Sequence, residues 1–202
     1  MIFFDIDTQH DFLDRDGALV VPDSEAILAN IERLLVAASE HRITTVSSRC
    51  AHQPGDEEFK IFPPHCVEGT RGAERVFAAL PRLPRREIEV GALPEAEAEL
   101  KSATHYVIKK NTFDLFSNPW LEAMRAGQAF SLNECIVFGV ATDYCVRAAA
   151  LGLAQTGTRV RLVTDAVRGV APDSTAKTIE EMRAAGVEFT TTGEILKELA
   201  QA

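Results

Sequence analysis

No uninterrupted apolar run in this chain approaches the roughly 18 residues that a membrane-spanning helix needs. The opening Met1-Ile2-Phe3-Phe4-Asp5 has no basic n-region and no small-residue cleavage site, so no signal peptide is expected. Positive charge is in deficit. With 21 Lys and Arg against 30 Asp and Glu, the formal net charge is −9, which argues against nucleic acid or an anionic membrane surface as a partner. The basic residues are scattered, apart from a cluster over 82–86 that Leu83 and Pro84 interrupt. Cysteines are few (Cys50, Cys66, Cys135 and Cys145), with no C-x-x-C spacing and no density for a disulfide framework, so a reduced, cytoplasmic protein is expected. Internal repeats, low-complexity tracts and domain linkers are also missing. A chain of 202 residues, 46% hydrophobic and 25% charged, then suits one domain over 1–202.

What is present is alternation. Short apolar or β-branched runs at 2–6, 43–48, 106–110, 135–140, 160–164 and 187–190 predict strands. Helical patterns are read over 22–41, 143–155, 173–185 and 193–200, the first with Ile27, Ile31, Leu34, Leu35 and Ala38 on one face. Strands alternating with helices imply right-handed βαβ units, hence an α/β fold with a mostly parallel sheet of about six strands covered on both faces. Residues 49–94 read as an irregular excursion, rich in Pro, Gly and charge, of the length that tends to carry function.

In such sheets ligands bind beyond the carboxyl ends of the strands. Position alone therefore gathers Asp7, residues 49–52, Lys110 and Cys145 on one edge. Cys145 follows an apolar run ending in Gly139-Val140-Ala141-Thr142-Asp143 and precedes an alanine-rich helical pattern. A cysteine at such a junction meets exposed N–H groups and the helix dipole, which favour a thiolate and can receive an oxyanion; Thr142 or Asp143 can cap the helix. Asp7 can take a proton from the thiol and return one to a leaving amine. The Lys110 ammonium can hold the thiolate. Cys66 and Cys135 read as packed thiols.

The Asp7-Thr8-Gln9-His10-Asp11-Phe12 segment resembles the D-x-Q-x-D-F opening of the isochorismatase-like cysteine hydrolases, and 139–146 resembles their nucleophile segment. The resemblance covers nearly the whole chain. It implies a three-layer α/β/α fold, a catalytic trio of Asp7, Lys110 and Cys145, and a cis peptide between Val140 and Ala141 that aims the N–H groups of Ala141 and Cys145 at an oxyanion. The segments 52–59 and 62–70 look like the metal loop of the nicotinamidase branch, with Phe12 and Phe62 at the positions that sandwich a substrate ring. The resemblance departs from that branch at two positions. Cys50 stands where the branch has an aspartate, and Glu58 where it usually has a histidine. His52, Glu58 and His65 still form a two-histidine, one-carboxylate set suited to zinc, iron or manganese, to which Cys50 could add a soft ligand. No organic cofactor is implied. The family often assembles as dimers or tetramers, so a homo-oligomer is expected.

The reading is therefore an enzyme that hydrolyses a small planar amide, nicotinamide foremost, to the acid and ammonia through a thioester. The alternatives are vinyl-ether cleavage of the isochorismatase type, another C–N hydrolysis on a ureido or carbamoyl substrate, and a binding domain that kept the pocket.

Overall fold

In a computed structural model of the chain, the structure describes residues 1–95, 99, 101–126 and 133–201. Among these described residues seven stretches are extended: β1 (Ile2–Ile6), β2 (Thr45–Cys50), β3 (Arg85–Ile88), β4 (His105–Lys110), β5 (Glu134–Val140), β6 (Arg159–Arg168) and β7 (Glu188–Thr190). Six of the described stretches are α-helical: α1 (His10–Leu13), α2 (Leu28–Glu40), α3 (Pro119–Ala126), α4 (Arg147–Ala154), α5 (Pro172–Ala184) and α6 (Thr192–Leu199). The strands form one sheet in the order β3-β4-β2-β1-β5-β6-β7. Every pairing is parallel.

A parallel sheet must be covered on both faces, and two apolar clusters do this. Ile2, Phe4 and Ile6 of β1 pack with Trp120 and Met124 of α3, Ala149 and Leu153 of α4 and Met182 of α5. Phe3, one residue out of phase, turns to the other face with Phe138, where Ile31, Leu34 and Leu35 of α2 and Ile195 of α6 close the core. The α2 stripe expected from periodicity, Ile27 through Ala38, has all five members fully buried. The result is the three-layer α/β/α architecture, with seven strands rather than about six.

The additional strand is β3, which lies inside the stretch read as irregular. Its sequence is Arg-Arg-Glu-Ile, and only Ile88 is buried. It is an edge strand held by backbone pairing to β4, so it carries no apolar signature. Two short helices, α1 and α3, also fall outside the sequence reading.

Glycine is required at one place that bears on the site. Gly139 has φ +114°, and a Cβ there would lie 2.1 Å from the carbonyl oxygen of Ile6. The β5–β6 register shifts at the same point, between Val137 and Gly139. This irregularity sits directly before Val140 and Ala141, where such features re-aim a strand end.

Candidate active site

The carboxyl ends of four strands meet at one cavity. Asp7 follows β1, Cys50 ends β2, Lys110 ends β4, and Cys145 lies in a π-type turn, Thr142–Val146, after β5. Cys50 and Lys110 are register partners, as are Ile6 and Gly139. Asp7 takes a left-handed backbone (φ +49°), tolerated by aspartate, as the chain turns off β1. The Val140–Ala141 peptide is cis.

Lys110 is the hub. Its ammonium donates to the Asp7 carboxylate at 2.7 Å, to the Thr112 carbonyl at 3.1 Å, and lies 3.2 Å from Cys50 Sγ and 3.5 Å from Cys145 Sγ. The Ser48 hydroxyl donates to the other Asp7 oxygen at 2.6 Å. Ser48 and Cys50, two residues apart on a strand, thus both reach toward Asp7; the Cys50 thiol is 3.7 Å from it. The lysine and aspartate side chains are 0% and 1% exposed, so the pair is charge-matched in a dry setting.

Burial by itself would pull the Lys110 ammonium down, but the charge and hydrogen bond of Asp7, joined by either sulfur once ionised, outweigh it and hold its pKa well above the ordinary lysine value. The Cys145 thiol is also held well above its ordinary value, first by the hydrogen bond it shares with Cys50, then by burial, with Lys110 opposing. For Cys50 the same shared bond acts downward, yet burial and Asp7 leave its thiol raised. Both sulfurs are therefore thiols at neutral pH. This differs from the thiolate expected at a helix start, because the turn places Cys145 in the same buried cavity as a second sulfur. Asp143 does not cap α4. Its carboxylate accepts from the Val170 N–H at 2.9 Å and from the Ser174 hydroxyl, bracing the entry to α5. Cys135 is pushed up to about 12 and Cys66 higher still, both chiefly by burial, as packed thiols should be.

A second cluster adjoins the first. One ligand atom each from His52, Glu58 and His65 lies within 4.8 Å of the others. His52 Nε2 is 3.9 Å and His65 Nε2 3.5 Å from Glu58 oxygens. Each imidazole has its Nδ1 occupied: His52 with the Asp56 carboxylate at 3.1 Å, His65 with the Pro63 carbonyl at 2.9 Å. That frees both Nε2 atoms toward Glu58, and His52 Nε2 is buried with no partner. A donor set of this kind, with an orphaned imidazole nitrogen, fits a divalent metal. Cys50 does not join it. The expectation of a soft fourth ligand is corrected, because register with Lys110 turns that sulfur toward Lys110 and Asp7.

The D-x-Q-x-D-F pattern now has a structural account. The Gln9 amide donates to the Cys50 and Ala73 carbonyls at 2.8 and 2.9 Å and accepts from the Cys50 N–H at 2.7 Å, fixing the end of β2. Asp11 accepts from the N–H of Cys66 at 2.6 Å, next to His65, and from Ala18 at 3.0 Å. A Cβ at Gly72 would lie 2.1 Å from the Asp11 carboxylate, so residue 72 must be small for this clamp to close. In the sequence alone, Gln9 and Asp11 are legible only as letters of the motif.

Phe12 and Phe62 line the cavity with Asp7, Val140, Ala141 and Cys145. Phe12 packs on His65 with ring centroids 5.4 Å apart. Phe62 meets Tyr144 at 5.8 Å and Phe113 at 6.0 Å, both edge-on. Phe113 and Tyr144 are walls that sequence reasoning missed; Tyr144 was adjacent to the cysteine, and Phe113 had no signal beyond following the Lys110 strand.

Comparison with known proteins agrees with this geometry. The model of the isochorismatase domain matches residues 1–194. The chain is 31% identical over 190 residues to the nicotinamidase/pyrazinamidase of Mycobacterium tuberculosis, covering 91% of this chain and 95% of that protein. It is 28% identical to the nicotinamidase of Escherichia coli, with 92% of each chain covered. The crystal structure of the pyrazinamidase of Pyrococcus horikoshii in complex with zinc superposes with a TM-score of 0.74 at 28% identity, covering 94% of this chain and 98% of that one. With its sheet, strand-end trio and family match in agreement, the chain belongs to the isochorismatase domain family.

Proposed function

We propose that this protein is a cysteine amidohydrolase that cleaves a small, planar, uncharged amide, nicotinamide foremost, to the acid and ammonia. The observation that carries the reading is the meeting of Asp7, Lys110 and Cys145 in one buried cavity with aromatic walls. In this reading Asp7 takes the Cys145 proton as the sulfur attacks the amide carbon. The N–H groups of Ala141 and Cys145 receive the oxyanion. Asp7 then returns the proton to the departing ammonia, leaving a thioester, and next activates water against it. Lys110 faces the Asp7 carboxylate at 2.7 Å and offsets charge on sulfur. Phe12 and Phe62 hold the ring between them.

His52, Glu58 and His65 would hold a divalent ion, zinc, iron or manganese. When bound there, such an ion supplies a Lewis acid and an anchoring point for a ring nitrogen. The vinyl-ether reading is not favoured, because the relatives that match along nearly the whole chain are named for amide substrates. The relatives' names support nicotinamide.

Several coarser expectations belong to the same proposal: one catalytic unit over 1–202, a cytoplasmic location and a dimer or tetramer. All four cysteines are free, which suits a reducing compartment. Among the described residues no helix is long and apolar enough to cross a membrane. Ammonia release from nicotinamide by the metal-loaded protein tests the activity. Release that is abolished in Cys145→Ala supports it; no release from nicotinamide or a panel of small amides refutes it.

A further inference from the structure

We propose that Cys50 is an oxidation partner of Cys145: a hydroperoxide that enters the cavity oxidises the nucleophile, and Cys50 captures the product as an intramolecular disulfide. The proposal rests on the reading above for Cys145 as the reacting thiol, but not on any substrate. Cys50 has no task in the amide chemistry and none in the candidate metal cluster. It nevertheless lines the same cavity as Cys145. The two sulfurs flank one ammonium, at 3.2 and 3.5 Å from Lys110 Nζ. The other two cysteines are placed differently: Cys66 faces the Gly72 carbonyl at 3.9 Å, and Cys135 lies fully buried within β5. The pair thus combines a base (Asp7), a cation that stabilises a departing anion (Lys110), and a second thiol next to the first.

The chemistry balances. Cys145 passes its proton to Asp7 and its sulfur attacks one oxygen of the hydroperoxide. The O–O bond breaks, and the leaving alkoxide or hydroxide takes that proton, giving an alcohol or water and a sulfenic acid at Cys145. Cys50 sulfur then attacks the Cys145 sulfur, the S–O bond breaks, and hydroxide leaves with the Cys50 proton as water. Two thiols lose two electrons to the peroxide bond. The disulfide holds the nucleophile in a form that a thiol reductant restores, whereas a sulfenic acid without a neighbour proceeds to the irreversible sulfinic acid.

The test treats the intact protein with small excesses of hydrogen peroxide and maps peptides without reduction. The expected product is a peptide pair linking residues 50 and 145, two hydrogens lighter than its thiols, with activity lost and then recovered by dithiothreitol. In Cys50→Ser the same treatment should leave Cys145 two oxygens heavier, and recoverable activity, relative to that variant's own starting value, should fall by about tenfold against the parent protein. A Cys145 sulfinate with no 50–145 link in the parent protein overturns the proposal, as does a link through Cys66 or Cys135. Equal recovery in Cys50→Ser also overturns it. If the protein hydrolyses no amide at all, the mass of the linked peptides still decides the matter, so this failure and that of the amidase reading are separable. The parent-protein measurement stands even if the variant does not fold.

Discussion

Replacing Lys110 by Met tests the core electrostatics of the site. The substitution keeps length and apolar stem but removes the ammonium that Asp7 faces at 2.7 Å, in a setting where the two side chains are 0% and 1% exposed. Removing one partner of a buried pair strands the other, which costs about 3–5 kcal/mol. For a chain of this size each kcal/mol moves Tm by about 2–4 °C, so Tm should fall by roughly 6–20 °C. Removing both charges in Asp7→Asn/Lys110→Met should recover much of the loss, giving a coupling of at least about 2 kcal/mol. Urea denaturation of the four proteins measures this. Because the Lys110 pKa is raised in the folded state, its stabilisation is complete below the ordinary value of 10.5 and disappears only as pH rises through the folded value. The deficit of Lys110→Met should therefore be constant across neutral pH. A loss below about 1 kcal/mol, or strict additivity of the two changes, would refute the argument that this pair is mutually dependent.

Three further outcomes are expected. His105 is buried, donates to or accepts from Ser47 at 3.0 Å, and has its pKa lowered to about 3, first by burial and then by Arg75 and Arg85. It stays neutral when folded while the unfolded chain takes up a proton below 6.5, so stability should fall by about 2 kcal/mol from pH 6.5 to about 5, and His105→Gln should flatten that slope in denaturation curves. Phe62→Ala should raise KM for an aromatic amide by about 2- to 10-fold with a smaller effect on kcat, since it removes ring contacts; an unchanged KM would place the ring elsewhere. His52→Ala and His65→Ala should each lower bound zinc, iron or manganese by at least about tenfold, while Cys50→Ser should leave the metal content intact, as elemental analysis after dialysis will report.

Much of this architecture is legible from residue order. β1 and the α2 stripe follow from apolar runs and a 3.6-residue period, because in both cases burial decides the pattern. Asp7, Lys110 and Cys145 converge because a parallel sheet delivers its strand ends to one edge. β3 escapes because an edge strand is stabilised by main-chain bonds that any side chain permits. Cys50 is not legible, because sequence proximity sets it beside His52, whereas strand register sets it opposite Lys110, a partner 60 positions away. The thiol state of Cys145 was equally hidden: the dipole and the lysine are local cues, and the opposing sulfur arrives from another strand.

The stretch from Asp7 to Phe12 concentrates three duties within six positions. One residue holds the carboxylate, another locks the end of β2 through both faces of an amide, and a third braces the backbone beside His65. An engineer seeking a new substrate scope should leave that stretch untouched, because a single insertion there would misalign proton transfer, the neighbouring sulfur and the histidine loop together. Diversity is better introduced at the rim, where Val20, Phe113 and Val170 border the opening, are partly exposed, and bear no hydrogen-bonding side chain on which the interior depends.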